Sequence, residues 1–96
     1  MSIETGRAVT ANASRYLQQL AKHWAHKNEV TFDATSADIS LRGNRVELRA
    51  EPDALIATLT TGPDGEVVRL RSVFEEHINR FAFREAPLQF EWRPGQ

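Results

Sequence analysis

The run from Val30 to Thr60, VTFDATSADISLRGNRVELRAEPDALIATLT, decides the fold. Val30 and Phe32 alternate with Thr31 and Asp33, and Ile39 and Leu41 flank Ser40. Val46, Leu48 and Ala50 alternate with Arg45, Glu47 and Arg49; Leu55, Ala57 and Leu59 alternate with Ile56, Thr58 and Thr60. A period of two sends successive side chains to opposite faces, so each segment reads as a strand with one apolar face. The breaks Ala34-Thr35-Ser36, Arg42-Gly43-Asn44 and Glu51-Pro52-Asp53 are short. Gly and Asn tolerate positive φ and Pro presets φ, so all three read as tight turns. Strands joined this closely pair antiparallel.

Upstream, Ala13, Tyr16, Leu17, Leu20 and Trp24 recur at helical spacing in a helix ending near Lys27-Asn28, with Asn12 or Thr10 placed to cap it. Before it Ile3, Thr5, Arg7 and Val9 alternate loosely, as in a short edge strand. Downstream, Gly62-Pro63-Asp64-Gly65 breaks the pattern and offers Asp64 as a cap. A second helix is expected from about Glu66 to Phe83, its stripe being Val67, Leu70, Phe74, Ile78 and Phe81, and Pro87 stops it at the latest. Leu88, Phe90 and Trp92 alternate with Gln89, Glu91 and Arg93 in a last strand before a frayed Pro94-Gly95-Gln96. The order (β)αββββαβ predicts a single α+β domain over residues 1–96, a two-layer sandwich with two helices on one face of an antiparallel sheet.

Twelve basic and thirteen acidic residues leave a formal net charge of −1, which gives no long-range pull on phosphate backbones or anionic lipid. With no cysteine, disulfides and thiolate metal sites are excluded. The first residues carry no apolar leader and no run could span a bilayer, so a cytoplasmic location without a membrane partner is expected. A chain of this size buries one core more readily than a core and a deep pocket. No G-x-S-x-G, G-x-G-x-x-G or P-loop occurs, and Ser14 and Ser72 read as helix surface or caps. Glu75 and Glu76, or Asp33 and Asp38, share no spacing that forces a common cleft. No catalytic residue, cofactor or metal is therefore expected. The open sheet face should carry Thr31, Ser40, Arg45, Glu47, Arg49, Thr58, Gln89, Glu91 and Arg93, with mixed charge and no aromatic ring. Phe32, Phe90 and Trp92 point to the core side, as does Trp24 on its helix.

The three histidines are the most distinctive polar feature. His23 and His26 lie roughly 80° and 140° to one side of the first apolar stripe, and His77, Arg80 and Arg84 lie on the same angular side of the second, at about 100° per residue. In an antiparallel pair these flanks either face each other or both face away. In the first case His23, His26, His77, Arg80 and Tyr16 form a ligand site with Arg84 at its margin. In the second they are hydrogen-bonded border residues. The basic neighbours Lys22, Lys27, Arg80 and Arg84 suit an anion better than a metal cation.

Ala13-Ser14-Arg15-Tyr16-Leu17-Gln18-Gln19-Leu20, Lys22-His23-Trp24-Ala25-His26-Lys27 and His77-Ile78-Asn79-Arg80-Phe81-Ala82-Phe83-Arg84-Glu85 resemble the bacterial domain of unknown function 2218 family. The resemblance spans nearly the whole chain, through Trp92. It implies a fold similar to the TATA-binding-protein-like α+β group and an association with siderophore-interacting flavoprotein reductases, with no catalytic residues to transfer. The expected function is a non-enzymatic binding or accessory domain whose partner is such a reductase or an anionic small ligand. The alternatives are a small enzyme or a metal-binding module using His23, His26 and His77. The mixed, ring-free open face also predicts that single-stranded DNA and RNA do not bind at physiological salt; micromolar binding with a steep salt slope in fluorescence anisotropy would contradict it.

Overall fold

The computed structural model describes residues 2–63 and 65–95. Strand β1 (Ile3–Val9) leads into α1 (Ala13–Trp24), followed by the meander β2 (Val30–Phe32), β3 (Ser36–Leu41), β4 (Asn44–Glu51) and β5 (Ala54–Thr60). Helix α2 (Val67–Phe81) and β6 (Glu91–Pro94) complete the chain. All pairings are antiparallel and the sheet order is β2-β3-β4-β5-β1-β6.

The register sorts the sheet into two faces. Val46 opposes Leu59, Leu48 opposes Ala57 and Ala50 opposes Leu55, so the apolar alternates of β4 and β5 align under the helices. The stripe of α1 (Ala13, Tyr16, Leu17, Leu20, Trp24) is buried, as are Leu70, Phe74 and Ile78 of α2. Val67 and Phe81, at the ends of the second stripe, are half-buried because the helix runs past the core there. The helices are antiparallel: Tyr16 in α1 bonds Glu85 beyond the C-terminus of α2, whereas Trp24 at the other end meets His77.

Several local expectations are corrected. β1 is no edge strand; it lies between β5 and β6 and pairs along its whole length with β5. Ile3, Thr5, Arg7 and Val9 form its outer face, while Gly6 and Ala8 turn to the helices. Small residues mark the core face here because Trp92 of β6 lies over Gly6: a Cβ at Gly6 would come within 2.7 Å of the indole. Phe32 opposes buried Ala37 but stays 38% exposed at the sheet edge. Leu88 and Phe90 precede the paired part of β6; Leu88 is buried, its N–H held by Asn79 Oδ1 at 2.9 Å. Gln89 is thus outside the sheet. Gly95 is tied down by its N–H to Ile3 O at 2.7 Å, so the chain is not frayed there.

Asn12 occupies the N-cap position of α1 but makes no cap bond, because its amide is drawn to Glu85. Glu66 stands at the N-cap of α2, and the expected cap Asp64 lies outside the described residues, as does Gln96. No described helix is long and apolar enough to cross a membrane.

Phe74 has no solvent exposure and packs edge-on against Phe90 at 5.3 Å and Trp92 at 6.1 Å. Phe74→Ala should lower unfolding free energy by about 3–5 kcal/mol in urea, and a loss under about 1 kcal/mol would contradict this packing.

Candidate functional site

Two polar centres stand at opposite ends of the helix pair. The first surrounds Glu85. Its Oε2 accepts from Thr10 Oγ1 at 3.0 Å, Asn12 Nδ2 at 3.1 Å and the Tyr16 hydroxyl. Three donors favour the ionised carboxylate, so the hydrogen bonds from Tyr16 and Asn12 hold Glu85 below the ordinary 4.5. Burial, followed by the bond to Glu85, pushes the Tyr16 phenol above 10.0. A carboxylate saturated in this way is a poor general base. It joins the segment after α2 to the β1–α1 turn.

The second centre is a groove of about 1080 Å³ bounded by the C-terminal end of α1, the β3–β4 hairpin, the 62–66 segment and the first half of α2. Trp24, Leu41, Leu70 and Val73 supply apolar lining, and His23, His26 and His77 reach it from α1, the turn after it and α2. The rings of His23 and His77 are 5.8 Å apart, and His77 is 5.2 Å from Trp24. His77 Nδ1 lies 2.7 Å from Val73 O. A carbonyl only accepts, so Nδ1 is the donor, and in the neutral ring the lone pair is on Nε2.

Lys27, Arg42 and Arg69 also line the groove, against one carboxylate, Glu66, among the described residues. None of the three cations is ion-paired within the described residues. The open sheet face differs. Arg45 binds Asp38 through Nε at 2.9 Å and a terminal nitrogen at 2.5 Å, and Arg49 binds Glu51 at 3.1 Å. The Arg45 hydrogen bond holds Asp38 below its ordinary value.

The expected residues therefore divide. His23, His26 and His77 share the groove, but no group of three or more His, Cys, Asp or Glu among the described residues could hold a metal ion. Tyr16, about two turns before His23, is engaged by Glu85. Arg80 pairs with Glu76 one turn away on the exposed side of α2, and the Arg84 guanidinium lies 5.8 Å from the Phe83 ring centre. The reason is axial: the flanks face each other, yet Arg80 and Arg84 lie past His77, away from the end where the groove opens. Arg42 and Arg69 were not expected in the groove, since each comes from an element whose neighbours are far away in sequence. Glu85 was missed for the same reason: its donors lie 69 to 75 residues upstream.

A family model described as an uncharacterized protein conserved in bacteria, domain of unknown function 2218, matches residues 5–93. The chain is similar to a solved protein, PA4090 from Pseudomonas aeruginosa, determined by NMR. The two share 29% identity with a TM-score of 0.80, over 100% of this chain and 99% of that one. No curated protein matches.

The Glu85 centre predicts a pH dependence. A depressed folded pKa contributes stability above 4.5 that is lost as pH falls below it, while the raised Tyr16 pKa contributes below 10.0 and is lost above it. Glu85→Gln should remove about 1 kcal/mol at neutral pH, a figure discounted for solvent screening, and flatten the acid limb of a urea stability profile. An unchanged acid limb would contradict the assignment.

Proposed function

The chain belongs to the bacterial domain of unknown function 2218 family, and from that premise we propose that it is a non-enzymatic, cytoplasmic binding domain that holds a small anionic ligand in the groove beside His23 and His77. One observation carries this reading. Arg45 and Arg49 of the open sheet face are paired with neighbouring carboxylates, whereas Lys27, Arg42 and Arg69 converge on the groove without an ion-paired carboxylate among the described residues. In a protein of net charge −1 such a concentration is local and directional. Charge-assisted hydrogen bonds from guanidinium and ammonium groups are the strong ones, and partial desolvation beside Trp24, Leu70 and Val73 strengthens them. The groove is large enough for a ligand of many heavy atoms that presents carboxylate or phosphate oxygens.

Ferric siderophores are often anionic and of suitable size, which makes them the ligand class most compatible with the association with siderophore-interacting reductases that the family resemblance implies. A siderophore-interacting reductase is then the protein partner we propose. A second reading, a small enzyme, draws on His77: with Nδ1 bound to Val73 O, its Nε2 is left as a base. That reading requires wild type to convert one of the probes below to a product, and His77→Asn to abolish that turnover while still binding the probe.

The test is titration with citrate, inorganic phosphate, a panel of ferric siderophores and zinc, followed by NMR of the histidine rings. Anions should shift His23 and His77 together. Independent responses of the two rings, or a response to zinc alone, would overturn the reading.

A further inference from the structure

Resting on the groove as an anion site, we propose that Arg42 is the residue that clamps the ligand's oxyanion and sets its specificity for carboxylate or phosphate groups. Leu41 and Asn44 pair as the last rung of β3–β4, leaving Arg42 and Gly43 as a two-residue loop. Their φ angles are 52° and 82°, both in the left-handed region. Two positive φ values define the turn whose twist suits a β-hairpin, and its favoured sequences are Asn-Gly, Asp-Gly and Gly-Gly. Arginine is poorly suited to that first position. Its Cβ crowds the following carbonyl, and it has no short polar side chain to offset the strain. Arg42 is the single non-glycine residue at positive φ among the described residues.

The hairpin tip is also held in place. Asn44 Oδ1 accepts the Gly62 N–H at 2.9 Å. A Cβ on Gly62 would stand 2.5 Å from Gly43 O, and one on Gly65 would stand 2.5 Å from Asn44 Oδ1. The turn is therefore packed directly on the segment that leads into α2, the other wall of the groove. A strained backbone on a rigid mount, at an arginine that lines the groove and has no carboxylate partner among the described residues, is what a positioned ligand-binding arginine requires. The planar fork can bind two oxygens of a carboxylate or phosphate at once, and Lys27 and Arg69 add charge without that geometry or with less constraint.

The proposal separates stability from binding. Arg42→Asn creates the favoured Asn-Gly turn, so the melting temperature should rise by about 4–8 °C, the response of a domain this size to relief of modest strain. The same change should weaken binding of citrate or inorganic phosphate at least tenfold by isothermal titration calorimetry. The two probes distinguish a carboxylate ligand from a phosphate one. Arg42→Lys should keep the charge but, without the planar fork, lose most of the affinity for whichever probe binds. Arg93→Asn, on β6 away from the groove, should leave binding unchanged. If Arg42→Asn binds as wild type does, the Arg42 role is overturned while the groove reading stands. If wild type binds neither citrate nor phosphate, both fall. A lower melting temperature for Arg42→Asn would show that the turn is not strained by arginine and would also overturn the proposal.

Discussion

Phe74 sits where α2 meets the terminal aromatic pair, with Phe90 and Trp92 edge-on to its ring and no part of it in contact with solvent. That contact fixes the height and direction of α2 over the β5-β1-β6 half of the sheet. Glu4 and Glu75 reinforce it at the margins, accepting from Arg71 at 3.0 Å and Trp92 Nε1 at 3.1 Å. Gly6 is the matching concession on the sheet: any larger residue would displace the indole that covers it. With α2 held there and α1 packed by Leu17 and Leu20 over the other half, the two helices close on each other at the Glu85 end and leave the groove at the His23 end. The groove is a consequence of covering a six-stranded sheet with two helices.

Charge is distributed in keeping with that geometry. Arg45 and Arg49 on the open sheet face have carboxylates within the same strand pair, so their fields cancel over short distances and are further screened by water. At the groove, cations are delivered by three separate elements: Lys27 after α1, Arg42 on the hairpin and Arg69 on α2. The two ends of the helix pair thus have different chemistry. At one end a carboxylate is satisfied by three protein donors; at the other, donors face a space without a described ion-pair partner.

The sequence made much of this legible and left specific parts hidden. Period-two alternation from Val30 to Thr60 and the stripes of Leu17-Leu20-Trp24 and Leu70-Phe74-Ile78 announced the layers, because large apolar residues mark buried faces directly. β1 was misplaced to an edge because its core face is made of Gly6 and Ala8, small residues that signal nothing until the ring of Trp92 is known to lie above them. Phe32 showed the reverse failure: its alternation was right, but β2 is a three-residue edge strand with too little above it to cover the ring. A helical wheel puts His23 and His77 on matching flanks but leaves open whether those flanks meet; the two rings lie 5.8 Å apart. Arg80 and Arg84 shared that angle but not the axial position, which a helical wheel does not encode. Arg42 was visible in the sequence as an arginine in a turn that favours asparagine or glycine, though what it faces depends on a hairpin meeting a helix start about twenty residues later.

The central claim is that the anion site lies in this groove and nowhere else on the described surface. Mapping backbone amide shifts by two-dimensional NMR during a citrate titration tests it most directly. The account predicts saturable shifts confined to residues around Lys27, Arg42, Gly43, Arg69 and His77, diminishing as salt is raised. Saturable shifts centred instead on Arg45 and Arg49 of the open sheet face would contradict it.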